Sequence, residues 1–241
     1  MRYGVIADVH GNLHALEAVL VAVDRVGVDG WLCPGDLVGY GPRPNECVAR
    51  VAALDPAPVV AAGNHDLMAV GRLLGDELGP LPKQCLEWTW DVLEPAARSY
   101  LEELPVEATA ADGSVVVTHG SLEDPTEYVL DREAGLRQLE RLRERSPDAG
   151  TLVLGHTHLP LECELGGGPA LYNPGSVGQS RERRPVARAM VLDLDRRRAD
   201  FLAVDYDVGA TRRELRAAGL PRHACHLAPG PWARLRRRLA R

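Results

Sequence analysis

Short apolar runs that stop at histidine or a small polar residue recur along this chain. Tyr3-Gly4-Val5-Ile6-Ala7 reads as a buried strand and stops at Asp8-Val9-His10-Gly11-Asn12. A helix follows, with Leu13, Leu16, Val19, Leu20 and Val23 at helical spacing and Gly27 as its stop. Gly30-Trp31-Leu32-Cys33 is the next strand and ends at Pro34-Gly35-Asp36. Residues 45–54 read as a helix, and Pro58-Val59-Val60-Ala61-Ala62 as a strand ending at Gly63-Asn64-His65-Asp66. Strand, polar loop and helix thus repeat three times, with polar residues where open α/β sheets place ligands.

Residues 67–105 read as mostly helical. Leu86, Trp90 and Leu93 make a stripe there that suits either core packing or a cap over a site. Val115-Val116-Val117-Thr118 is a strand ending at His119, and a helix over 131–145 sets Leu136, Leu139 and Leu142 beneath alternating charges. Thr151 to Leu154 is a strand ending at Gly155-His156-Thr157-His158. The pattern then changes to hairpins. Residues 159–165 and 169–173 flank Gly166-Gly167-Gly168, a turn rather than a phosphate loop because no helix and no Lys-Ser/Thr pair follows. Residues 186–194 and 199–204 pair last. The expected organisation is one domain over 1–205 with a basic helical tail, 206–241, packed on it or appended to it.

Composition narrows the class. The chain has 241 residues, 45% hydrophobic and 26% charged, the profile of one globular α/β domain and not of a fibrous or disordered chain. No run approaches a membrane span, and the N-terminus lacks the order of a signal peptide. Cys33, Cys47, Cys85, Cys163 and Cys225 have no metal or redox spacing and read as reduced, buried thiols of a cytoplasmic protein. The net charge of −6 argues against a stable nucleic-acid complex.

Chemistry concentrates at the strand ends. Five of the eight histidines (His10, His65, His119, His156 and His158) directly follow strand-like runs, accompanied by Asp8, Asp36 and Asn64. Imidazole selects manganese, iron, cobalt, nickel or zinc, and carboxylate keeps harder ions competitive. Without a thiolate a structural zinc site is not expected. Seven candidate ligands exceed one tetrahedral ion and suit two ions sharing a carboxylate. Asp66 suits either a hydrogen bond to a ligating histidine or a helix cap, and His14 reads as a packing or solvated residue.

Asp8-Val9-His10, Gly35-Asp36, Gly63-Asn64-His65-Asp66, Thr118-His119-Gly120 and Gly155-His156-Thr157-His158 resemble, in order and spacing, the five blocks of the calcineurin-like metallophosphoesterase superfamily. Gly35-Asp-Leu-Val-Gly-Tyr-Gly-Pro and Asn173-Pro-Gly-Ser-Val-Gly-Gln resemble its small bacterial and archaeal phosphodiesterase-like branch. The resemblance spans residues 3 to about 204. It implies a four-layer αββα sandwich of two mixed sheets flanked by helices. It also implies two divalent ions, manganese first among candidates, with iron, cobalt, nickel and zinc as others. One ion is expected on Asp8, His10 and His158, the other on Asn64, His119 and His156, with Asp36 bridging. His65 is the expected acid or phosphate contact. Asn12, Tyr40, Ser176, Gln179 and Arg181 are the expected substrate contacts. The implied reaction is hydrolysis of a small phosphodiester by in-line attack of a metal-bridging hydroxide. Phosphomonoester, nucleotide or dinucleoside polyphosphate hydrolysis is the alternative.

Two departures matter. Gly39-Tyr40-Gly41-Pro42 lacks the arginine that follows the second block in protein Ser/Thr phosphatases, which argues against that activity. Glu123 stands where relatives of the small branch carry a basic residue, and it faces either cleft or solvent. The rival class is a binding scaffold of the same fold, such as a retromer subunit; the complete ligand set argues against it. The tail holds nine arginines against two acids, leaving 19 basic residues against 32 acids in 1–205. Trp232, Leu235 and Leu239 lie at helical spacing among its arginines. Packing, binding an anionic surface and self-association as a homo-oligomer are the three jobs open to it.

Overall fold

The first strand shows how the sheet order arises. In β1 (Arg2–Val5) and the residue after it, Tyr3 and Val5 face one way and Ile6 the other, and all three are buried. A strand covered on both faces reads as a continuous apolar run. The computed structural model describes residues 1–228. After β1 come α1 (Leu13–Asp24), β2 (Gly30–Cys33), α2 (Pro44–Ala52), β3 (Val59–Val60), α3 (Asn64–Ala69), α4 (Pro80–Val92) and α5 (Pro95–Glu103). The second half runs β4 (Glu107–Ala110), β5 (Val115–Thr118), α6 (Arg132–Arg145), β6 (Thr151–Val153), β7 (Pro160–Glu164), β8 (Ala170–Pro174), β9 (Ala187–Asp193), β10 (Arg198–Val204) and α7 (Val208–Ala217).

Two mixed five-stranded sheets result, ordered β10-β9-β1-β2-β3 and β4-β5-β6-β8-β7. β1, β2 and β3 are parallel, as are β5, β6 and β8, so the ends carrying the polar loops share one side of the molecule. Tyr3, Val5, Leu32, Val115, Val117, Val153, Tyr172 and Met190 fill the space between the sheets. Ile6, Trp31 and Cys33 pack outward among α1, α2 and α5, while Val116 and Leu152 pack against Leu139 and Leu142 of α6. Helix, sheet, sheet and helix form the four expected layers.

Most elements lie where the pattern predicts them. β4 was not anticipated: Glu-Ala-Thr-Ala alternates, but only through two alanines, and as an edge strand it is held by antiparallel pairing to β5. The stripe on α4 divides. Leu86 is buried, whereas Trp90 is partly exposed and donates its indole N–H to the Met68 carbonyl at 3.0 Å. All five cysteines are buried thiols. Among the described residues, no helix is long and apolar enough to cross a membrane.

The described part of the C-terminal segment lies against the body. Asp207 caps α7, and Leu215, Leu220, Ala224 and Cys225 pack with Tyr40 and Cys85. Arg43 donates two hydrogen bonds to Glu214, at 3.1 and 2.8 Å. Beyond the helix, Gln179 Nε2 donates to the Ala224 carbonyl at 2.9 Å, and Leu227 N–H donates to the Ser180 carbonyl at 2.9 Å. Residues 224–227 therefore hold the 179–182 segment in place. The helical expectation around Trp232, Leu235 and Leu239 lies outside the described residues.

Candidate metal centre

Backbone packing brings the strand-end loops together. The Asp8 and His10 N–H groups donate to the Gly35 and Asp36 carbonyls at 3.0 and 2.9 Å, Gly155 N–H donates to the His119 carbonyl at 2.8 Å, and Gly178 N–H to that of Asp8 at 2.9 Å. Such approach leaves no room for side chains at the crossings. A Cβ on Gly35, whose φ is +96°, would lie 2.2 Å from the Gly63 nitrogen, and one on Gly178 would lie 1.8 Å from the Val9 carbonyl oxygen.

The same crossings force unusual backbone on the residues between them. Asp8, His10, Asp36, Tyr40, His156 and His158 have φ of 54°, 48°, 57°, 42°, 69° and 60°. Each such left-handed, non-glycine residue costs roughly 1–3 kcal/mol and persists only where its surroundings over-determine it. Six together at one sheet edge mark where the fold spends stability on side-chain placement.

Three histidines have their tautomer set by main-chain carbonyls. Nδ1 of His10 donates to Val38 O at 3.0 Å, Nδ1 of His119 to Pro34 O at 2.6 Å, and Nδ1 of His158 to Gln179 O at 2.9 Å. A carbonyl only accepts, so a neutral ring has a bare lone pair at Nε2; His10 and His158 are in that state, whereas His119, lifted by Asp36, keeps a proton on Nε2 unless a cation displaces it. Yet His10 Nε2 lies 3.0 Å from His158 Nε2, and His119 Nε2 lies 3.2 Å from Asp36 Oδ2. The facing lone pairs of His10 and His158 call for a cation between them, and at His119 and Asp36 a proton stands where an ion could. Asp8 Oδ2, Asp36 Oδ2, His119 Nε2 and His156 Nε2 are also buried without a hydrogen-bond partner. This donor set fits divalent ions.

Asp8, His10, Asp36 and His158 each present a ligand atom within 4.8 Å of the others. Asp36 Oδ2 lies 3.5 Å from His10 Nε2 as well as 3.2 Å from His119 Nε2, between the two expected ligand groups. In the second group His156 Nδ1 lies 3.0 Å from Asn64 Oδ1, with the His156 and His119 rings 5.2 Å apart. His65 packs between His10 and Tyr40, with ring centroids 5.0 and 4.7 Å away, and its backbone N–H donates to Asp36 Oδ1 at 2.8 Å.

Burial and mutual charge set the ionisation of these groups. Burial pulls His10 and His156 down to about 3 and also lowers His65 and His158, so these rings are neutral. Burial would lower His119 too, but the Asp36 carboxylate lifts it to about 9. Burial alone would raise Asp36; His119, His65 and His10 outweigh it and hold Asp36 well below the usual carboxylate range. Asp8, with less compensation, is pushed up to about 7.

A cleft of about 220 Å³ opens above the cluster, lined by Asp36, Asn64, His156, His158, Tyr40 and Arg181 among others. Asn12, Ser176 and Gln179, the other expected substrate contacts, do not line it. All three are fully buried and serve the scaffold. Asn12 caps α1 and donates to the Gly178 carbonyl, Ser176 Oγ donates to the Asp8 carbonyl, and Gln179 reaches Ala224. Asp66 touches no ligating histidine: it accepts from the N–H groups of Gly63, Leu37 and Val38, and so ties two ligand loops together. Glu123 faces solvent and pairs with Arg141 at 2.9 Å. His14 lies 3.3 Å from Glu214, in the contact with α7. The sequence reading missed Tyr128, whose ring packs at 4.1 Å and a 44° tilt against that of His156 and lines the cleft. It sits in an irregular loop, so no periodicity marks it.

The calcineurin-like phosphoesterase superfamily domain matches residues 1–197. A solved metallophosphoesterase from Sphaerobacter thermophilus is 37% identical, with 93% of this chain and 96% of that one covered, at a TM-score of 0.77. Phosphodiesterase YfcE of Escherichia coli is 27% identical over 81% of this chain and 89% of its own length. A symmetrical bis(5'-nucleosyl)-tetraphosphatase of Aliivibrio salmonicida is 30% identical over 59% of this chain and 57% of its own.

Proposed function

Because the chain belongs to the calcineurin-like phosphoesterase superfamily, we propose that this phosphoric ester hydrolase cleaves small phosphodiesters with two divalent ions at the strand-end cluster. The observation that carries the reading is the pair of bare ligand atoms facing one another, His10 Nε2 against His158 Nε2, with the unpartnered Asp8 Oδ2 and His156 Nε2 beside them. Asp8, His10 and His158 would hold one ion and Asn64, His119 and His156 the other, with Asp36, placed between the groups, available to both. When bound, such a pair supplies Lewis acidity and a water-derived nucleophile at neutral pH.

The chain's residues do the rest. The Val38, Pro34 and Gln179 carbonyls keep Nε2 of three histidines aimed inward. Two dications exceed the charge of Asp8 and Asp36 by two, so the cleft favours an anionic phosphate although the body is acidic. Arg181 on the cleft wall adds to that field and orients a non-bridging oxygen. His65 is neutral because burial lowers it, and nearby dications lower it further. It therefore acts as an N–H donor to the phosphoryl group or the departing oxygen. Manganese is the leading metal, since the donors mix imidazole with carboxylate.

Release of p-nitrophenol from bis-p-nitrophenyl phosphate tests the reading. Protein loaded with manganese is expected to turn over, to stop on chelation and to recover on adding metal back. Loaded protein that hydrolyses neither this diester nor p-nitrophenyl phosphate contradicts it. The tetraphosphatase relative supports a second reading, nucleoside polyphosphate hydrolysis. Faster turnover of a dinucleoside polyphosphate than of any diester would favour it.

A further inference from the structure

A second, larger groove of about 550 Å³ joins the metal cleft. The two share Asn64, Glu77, Leu78, Tyr128 and His156. Whatever enters the groove therefore lies beside two of the candidate metal ligands. Its volume falls in the range of small-ligand pockets.

The chemistry of the wall is distinct from that of the cleft. Met68, Leu73, Leu74 and Leu78 give it an apolar side. Leu74 is 78% exposed and Tyr128 49% exposed, so both offer surface to a ligand. Tyr128 uses one side of its ring on His156 and is fixed next to the site. Flat ligands gain from such a ring. The carboxylates of Asp76 and Glu77 border the same groove, and no lysine or arginine lines it among the described residues. Cleft and groove grade into one another: Arg181 lines only the cleft, Met68, Leu73, Leu74 and Asp76 line only the groove, and Glu77, Leu78 and Tyr128 stand at the junction.

We propose that this groove is a subsite for a flat, uncharged group of the ester, a nucleoside carrying no second phosphate. The inference rests on the phosphoesterase reading for the position of the phosphate. Apolar side chains and the Tyr128 ring cover the faces of the base. Asp76 and Glu77 accept from its amino group or from sugar hydroxyls. Asp76, confined to the groove, repels a further phosphate there, while Glu77 at the junction faces the metal-bearing cleft as well, so a polyphosphate chain does not run along this path.

Calorimetric titration of manganese-loaded protein with adenosine 5'-monophosphate, methyl phosphate and adenosine 5'-diphosphate tests this. The monophosphate is expected to bind about tenfold more tightly than methyl phosphate and more tightly than the diphosphate. Tyr128→Ala should bring the first ratio below about threefold. Leu74→Asp, at an exposed position that tolerates a polar side chain, should lower it as well. Monophosphate and methyl phosphate binding alike in the wild type overturns the proposal, even where the same sample hydrolyses bis-p-nitrophenyl phosphate. An unchanged preference in both variants also overturns it. A sample that keeps the preference and hydrolyses no ester sustains the groove and removes the hydrolytic reading instead.

Discussion

The strand-end loops and the groove wall beside them meet at His156 but are built in opposite ways. In the loops, every candidate ligand is buried, main-chain carbonyls orient three of the histidines, and five of the seven have backbone held in the left-handed region. In the wall, Leu74 and Tyr128 are exposed and Asp76 and Glu77 form no ion pair among the described residues. Chemistry that needs sub-ångström placement is put where the backbone is over-determined. Recognition of the organic part of a substrate is left to side chains that can change without disturbing the sheets.

Substitutions should separate the two regions by size of effect. Asp36→Asn removes the charge between the two ligand groups, and turnover of a diester should fall by about a thousandfold or more, with metal content reduced. His65→Ala should lower kcat by about a hundredfold while elemental analysis finds the metals retained. Loss of metal in that variant would move His65 from the chemistry to the scaffold. Arg181→Ala should raise KM about tenfold with a smaller change in kcat, which steady-state kinetics resolves.

These contrasts also explain what could be read from the sequence. The strand-end histidines were legible because parallel strands put successive loops at one end of each sheet, and the two sheets pack with those ends together. Asn12, Ser176 and Gln179 could not be placed from the sequence, because a polar residue inside a motif looks the same whether it lines a cleft or is buried in hydrogen bonds to the main chain. Only the hydrogen bonds to Ala15, Asp8 and Ala224 tell which. Arg181 could be named but not oriented, since residues 224–227, more than forty positions away, hold its segment. Tyr128 lies in a loop without periodicity, and the short alternation of β4 rests on two alanines, too weak a signal without its neighbour β5.

Scaffold positions provide further tests. Gly178→Ala drives a methyl group into the Val9 carbonyl and should cost about 3 kcal/mol, seen as a lower denaturation midpoint. The smallest effect is expected at Glu214, partly exposed and hydrogen-bonded by Arg43, which holds its pKa below the usual carboxylate range. A depressed folded-state pKa gives stability above the unfolded value that disappears as pH falls through the folded one. Glu214→Gln should therefore cost about 0.5 kcal/mol at neutral pH and nothing once wild-type Glu214 is protonated. Turnover should be preserved, since Glu214 belongs to neither region.

Metal stoichiometry measured alongside turnover tests the central claim most directly. Protein stripped with chelator, titrated with manganese, desalted and analysed should retain two ions per chain, with bis-p-nitrophenyl phosphate hydrolysis appearing as the pair fills. One ion or none per chain at full activity, or full occupancy with no hydrolysis of any phosphate ester, would contradict it.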